Sequence, residues 1–365
     1  MPRGNEDGHF FDLAVGEVDA RAEQRGRGGA RVVAFGGGKG GVGRSVLSVN
    51  VGVYLAQLGK RVVLVDADYG GANIHTLLGL EVPGKTLSDV LLRKRESLSE
   101  IVLETPVPGL GLLSGAGDIT GLVTPRQAER VRFVKMATQL DVDYVVIDLR
   151  AGTGIDILDL FLLADVGVVV LSPEPTAVEN AYRFIKSAFF RKIWNIEGFK
   201  SLRGLLTDAH GSIQEFGFMS PPTFLDEVRR RFPDLAAPLA DELRSFCPQI
   251  IVNQCRTRRD ADMTDHIVRA CRRKLQVDID WLGHVDHDDS VTLSVCKRRP
   301  LLLEFPETRT ARDIEFITRN LLSLEPGRRA PREHVRRQPA DSEGTAIAEG
   351  SELAAEAVTE GGDAP

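Results

Sequence analysis

The chain has 365 residues, 42% hydrophobic and 27% charged, with a formal net charge of −6. This composition sets the expectation of a soluble cytoplasmic protein with one large α/β domain or two small ones, and a mildly acidic balance makes no general demand for nucleic acid. The four cysteines, Cys247, Cys255, Cys271 and Cys296, form no C-x-x-C pair, so spacing indicates neither zinc nor an iron–sulfur cluster, and no apolar run reaches membrane-spanning length. Buried thiols in a reducing compartment are the expectation for all four.

In chain order, residues 1–29 are rich in Gly, Arg, Glu and Asp and read as a disordered arm without a secretory leader. Residues 31–35 form the first apolar run, and Gly36 to Ser45 follow as Gly-Gly-Gly-Lys-Gly-Gly-Val-Gly-Arg-Ser. A buried strand running through a glycine-rich turn into a helix at about 44–58 aims backbone N–H groups and a helix dipole at one point, which suits a phosphate. Further strands are expected at 61–66, 143–148, 166–171, 249–253 and 281–285. Helices are expected at 125–139, 155–163, 176–194, 261–275 and 309–323. The strands are continuous apolar runs, such as Val62 to Val65 and Tyr144 to Ile147, which implies a mostly parallel sheet with helices on both faces. One folded domain is expected over 30–325, with a helical insertion at about 195–248. A tail from 326 to 365 begins basic and ends acidic, a composition that favours disorder.

The loop also fits G-x-G-x-x-G through Gly38, Gly40 and Gly43, with Asp66 downstream, so a dinucleotide-binding oxidoreductase is the first rival. Three features favour a triphosphate instead. Lys39 and Arg44 add two cations, and Ser45 adds a hydroxyl suited to Mg²⁺. Asp66 and Asp68 supply two carboxylates, more than a ribose diol needs. Asp148 closes the strand 143–148, where a magnesium-directed acid belongs.

Gly38-Lys39-Gly40-Gly41-Val42-Gly43-Arg44-Ser45 resembles the deviant Walker A motif K-G-G-x-G-K-[ST] of the MinD/ParA ATPases. Asp66-Ala67-Asp68-Tyr69-Gly70-Gly71-Ala72-Asn73 resembles their switch I, in the D-A-D-x-G-x-A-N form of the flagellar regulator FlhG, and Asp148-Leu149-Arg150-Ala151-Gly152 resembles switch II. Pro173-Glu174-Pro175-Thr176-Ala177 with Asn180-Ala181-Tyr182 is similar to a further FlhG segment, and Val252-Asn253-Gln254 stands where the family reads adenine. The likeness covers roughly 30–323.

The resemblance implies a P-loop ATPase that binds ATP and Mg²⁺ and forms an ATP-dependent homodimer. Residues Gly38 to Val46 would contact the nucleotide, Val46 closing that run, and Asn253 would bond adenine. Lys39 would reach the partner's phosphates, Asp68 would place the attacking water, and Ser45, Asp66, Asp68 and Asp148 would serve the metal. Alternatives stay open: Asp66 and Asp68 as helix caps, Asn253 as a bond to loop backbone, Arg150 as a solvated charge or a dimer contact, and Glu174 as a shaper of the loop.

Arg44 departs from the motif's lysine. A planar fork in place of a compact ammonium keeps phosphate attraction but changes its geometry. The expected function is therefore an ATPase switch in spatial regulation with slow turnover, or alternatively a non-hydrolysing nucleotide-dependent scaffold. A regulatory protein partner of unknown identity is expected. Nucleic acid remains open through the clusters Arg269, Arg272, Arg273, Lys274 and Lys297, Arg298, Arg299. Direct membrane binding is not expected, because Ile314, Ile317, Leu321 and Leu322 suit a core-facing helix; any peripheral location would come through a partner. The iron–sulfur carrier branch of the family needs the C-x-x-C pair that is absent.

Overall fold

The computed structural model describes residues 29–116, 126–195 and 221–324. The expected arm, the expected tail and the first half of the expected insertion lie outside the described residues. Strand β1 (Arg31–Gly36) leads into α1 (Arg44–Gln57); β2 (Val62–Ala67) is followed by the short helices α2 (Ile74–Leu77) and α3 (Leu87–Leu91) and then by β3 (Leu103–Glu104) and β4 (Leu110–Leu113). Next come α4 (Gln127–Thr138), β5 (Tyr144–Leu149), α5 (Ile155–Leu163), β6 (Val166–Leu171) and α6 (Pro175–Trp194). The chain continues with α7 (Pro221–Arg231), α8 (Pro233–Arg244), β7 (Gln249–Cys255), α9 (Arg258–Leu275), β8 (Asp280–Asp286), α10 (Asp289–Cys296), α11 (Leu301–Glu304) and α12 (Arg309–Ser323).

The strands form one eight-stranded sheet in the order β3-β4-β2-β5-β1-β6-β7-β8, parallel except for β3. Successive residues of a strand face opposite sides, so each strand feeds two cores. Val32, Ala34, Val145, Ile147 and Val169 pack on one face with α4, α5 and α6. Val33, Phe35, Val146, Val168 and Val170 pack on the other with α1 and α12. Burial on both faces explains the unbroken apolar runs. Ile314, Ile317 and Leu321 of α12 are buried in this second core, as the apolar face of 309–323 suggests. Phe224 of α7 is buried against α6, with its ring 5.8 Å from that of Phe190.

The apolar runs predict six strands, and eight are present among the described residues. The additions, β3 and β4, span two and four residues, too short to show a period. The short helices α2, α3 and α11 escape for the same reason. For α10 a signal exists, since the Asp288 side chain accepts from the Ser290 amide at 2.8 Å, an N-cap whose residue type is plain in the chain.

Topology also decides against the dinucleotide rival. In that fold the first strand lies beside the second. Here β5 stands between β1 and β2, so β1 pairs with β5 and β6. The register pairs Phe35 with Asp148 and Asp66 with Asp148. Both carboxylates therefore emerge at the carboxyl edge of the sheet, beside the loop that leaves β1.

Candidate nucleotide-binding site

The loop between β1 and α1 is shaped by close packing. A Cβ on Gly38 would stand 2.3 Å from the Asn180 carbonyl oxygen of α6, so no side chain fits there. Gly43 has φ 83°, in the left-handed region, and its Cβ would stand 2.3 Å from Asn253 Nδ2. Gly43 is the N-cap of α1 and offers no side-chain oxygen, which leaves the first amides of that helix without a side-chain cap. The Gly152 amide donates to the Gly37 carbonyl at 3.1 Å and ties the segment after β5 to the loop.

The inner end of the site is buried and charged. Arg44 Nε donates to Asp148 Oδ1 at 3.2 Å, with side-chain exposures of 9% and 4%. Arg44 Nη1 is buried with no hydrogen-bond partner among the described residues. The Ser45 side chain lies beside Asp148 and favours its charged form. Burial pushes the Asp148 carboxyl up to about 6, against the pull of the Arg44 guanidinium. Asp66 is 1% exposed and accepts from the Ile74 amide at 2.9 Å and the Asp68 amide at 3.3 Å. Burial carries its carboxyl up to about 7 despite these amides, and the neighbouring Asp148 adds to the rise. With an amide on each oxygen, Asp66 orients the segment after β2. Asp68 is half-buried and accepts from the Gly70 amide at 3.3 Å.

The outer rim is built differently. Lys39 Nζ donates to Glu174 Oε2 and, at 3.1 Å, to Thr176 Oγ1 at the start of α6. Asn253 and Gln254 arrive from the end of β7. Asn253 Nδ2 donates to the Val42 carbonyl at 2.8 Å, and Gln254 Nε2 to the Gly41 carbonyl at 3.2 Å. Arg150 forms a bidentate pair with Asp156 of α5, with Nη2 2.9 Å from Oδ2 and 3.0 Å from Oδ1.

The structure thus brings Gly38 to Val46, Asp148 and Asn253 to one loop and its walls, with Asp66 and Asp68 at the neighbouring strand end. Two contacts escape the sequence reading: Gln254 on the loop, and Thr176 as a partner of Lys39. The positive φ of Gln254, 65°, leaves no mark in residue type. A magnesium ion would find Ser45 and phosphate oxygens as direct ligands, with Asp148 behind, which fits the donor set of a phosphate loop. The carboxylates do not form a cage by themselves: among the described residues no three Cys, His, Asp or Glu side chains are grouped to hold a metal.

Residues 29–196 match the ParA family described as NUBPL iron-transfer P-loop NTPase; the iron transfer in that description is not carried over, as this chain has no C-x-x-C pair. The antiactivator FleN of Pseudomonas aeruginosa is 35% identical over 158 residues, 43% of this chain and 55% of FleN. The septum site-determining protein MinD of Synechocystis is 35% identical over 42% of this chain and 58% of its own length. The flagellum site-determining protein YlxH of Helicobacter pylori is 35% identical over 44% and 54%. The chain spans a little over half the length of these curated relatives. Among solved structures, MinD of Pyrococcus horikoshii complexed with Mg-ADP matches with a TM-score of 0.55 at 18% identity, covering 80% of this chain and 96% of that one. With a phosphate loop beside acids at the ends of β2 and β5, residues 29–196 are similar to the ParA family of P-loop NTPases, and the chain shares the fold of MinD.

Proposed function

We propose that this protein is an ATP-binding, ATP-hydrolysing switch that dimerises around nucleotide and acts in spatial regulation through a protein partner. The observation that carries the reading is the convergence of the loop, the uncapped start of α1 and the buried Arg44 on the Asp148 strand end. Phosphoryl transfer asks mainly for positioning and charge stabilisation, and these residues supply both. In this reading Gly38 to Val46 would hold the phosphates, Ser45 and Asp148 would hold magnesium, Asp68 would orient water, and Asp66 holds the segment that bears Asp68. Magnesium, when bound, would neutralise phosphate charge. Asn253 keeps one face of the loop in place through Val42 and presents the rest of its amide for the base.

Lys39 is the residue assigned to a second subunit. It is 35% exposed and held, among the described residues, by rim groups, so it can exchange Glu174 for a phosphate without opening the core. The names of FleN, YlxH and MinD support spatial regulation, and the MinC:MinD complex of Aquifex aeolicus supports a protein partner. We place the protein in the cytoplasm, reaching the membrane face only through such a partner, with 30–325 acting as one ATPase unit. Light scattering after size exclusion, with ADP and then ATP, tests the switch. Wild type should dimerise with ATP alone and Lys39→Ala should not; a monomer throughout overturns the dimer.

The second reading, a scaffold that binds nucleotide without cutting it, rests on the Arg44 fork. Its width displaces the charge from where a lysine ammonium would stand. Single-turnover hydrolysis by Arg44→Lys should exceed that of wild type. Equal rates would remove the argument from fork shape.

A further inference from the structure

We propose that Arg44 is the resident cation of this site, so that the protein grips a nucleoside triphosphate without a divalent metal. The inference rests on the nucleotide reading above and concerns how that same site is charged.

A triphosphate entering this loop brings several negative charges beside two buried carboxylates, Asp66 and Asp148. Some cation has to stand between them, because like charges in a low-dielectric site repel strongly. Lys39 is turned to the rim, onto Glu174 and Thr176. Arg44 is the cation already inside, 9% exposed. Its Nε is bonded to Asp148, the same acid that would stand behind a magnesium ion.

The fork has donors to spare. A guanidinium carries five N–H groups in one plane, and Nε lies on a different edge from Nη1. With Nε on Asp148, Nη1 remains buried and unpartnered among the described residues. A buried donor without an acceptor is costly, and a phosphate oxygen is an acceptor that relieves it. Arg44 is the first residue of α1, whose opening amides are also without a side-chain cap. One side chain can therefore hold carboxylate and phosphate together, the bridging that a metal ion performs elsewhere. A lysine has a single nitrogen and bridges less well. Unlike magnesium, Arg44 cannot be removed by a chelator.

The test is isothermal titration of the full chain with the β,γ-imido analogue of ATP, in magnesium and in EDTA. Wild type should bind in both, with affinities within about fivefold. Arg44→Lys, checked for folding by circular dichroism, should lose more than about fivefold when magnesium is withdrawn. Wild-type binding that falls by more than about fivefold in EDTA overturns the proposal, and this arm needs no variant. Equal insensitivity of Arg44→Lys also overturns it, because the arginine is then not the cause. Wild type that binds in neither condition overturns the nucleotide reading itself.

Discussion

The glycine loop has two cations, and they live in different media. Arg44 and Asp148 are 9% and 4% exposed, whereas Lys39 and Glu174 are 35% and 60% exposed. Inside, a charge cannot change partners without leaving its counter-ion stranded in a poor solvent. At the rim, water screens every partner nearly equally, and exchange is cheap. The contrast teaches that one loop can carry one fixed charge and one movable charge.

The largest test of that contrast is Arg44→Ala. Removing one member of a buried pair should cost about 3–5 kcal/mol in urea unfolding, together with measurable nucleotide binding. A loss near that of a surface pair would show that water reaches Asp148. Gly43→Ala should cost about 1–3 kcal/mol, since it puts a side chain at a left-handed φ and against Asn253. Adding Asn253→Ala should recover the steric part and leave the backbone part, so full recovery would dismiss the strain.

The rim should answer weakly. Glu174→Gln should change stability by less than about 1 kcal/mol, because the pair it breaks is exposed. A larger change would make the rim a structural clamp. The same contrast extends, with the smallest effect, to the thiols. Burial pushes Cys255 and Cys271 up to about 12, so both stay protonated thiols at pH 8 and reach the reactive thiolate only near that value. Cys296 is exposed and should be labelled first by a maleimide, with no measurable change in melting temperature. Rapid labelling of Cys271 would mean that α9 opens from the sheet.

Much of this architecture is legible in the amino-acid order. The central strands and the long helices announce themselves by apolar runs within strands of six or seven residues and by helical stretches of nine to twenty. The succession of loop, acids and Asn253 along the chain also marks the site. The expectation of buried thiols holds for Cys255 and Cys271 and only in part for Cys247, but not for Cys296, whose neighbours in sequence say nothing of its place at the end of α10. Three features lie beyond any local pattern. The insertion of β5 between β1 and β2 is a matter of long-range pairing. The partner of Lys39 lies 135 residues away, and that of Asn253 211 residues away. The fate of the Arg44 fork depends on which of its edges meets Asp148, a rotamer choice made by packing.

The strand order has a consequence for synthesis. The loop is finished within the first 45 residues, yet β1 sits mid-sheet and gains its flanking strands only once residues 144–149 and 166–171 exist. Its outer wall arrives later still, with Asn253 and Gln254. A chain leaving the ribosome therefore carries a complete phosphate motif long before it owns a phosphate site. A ligand that needs the finished site, as the proposed nucleotide would, stabilises only molecules whose seventh strand has docked.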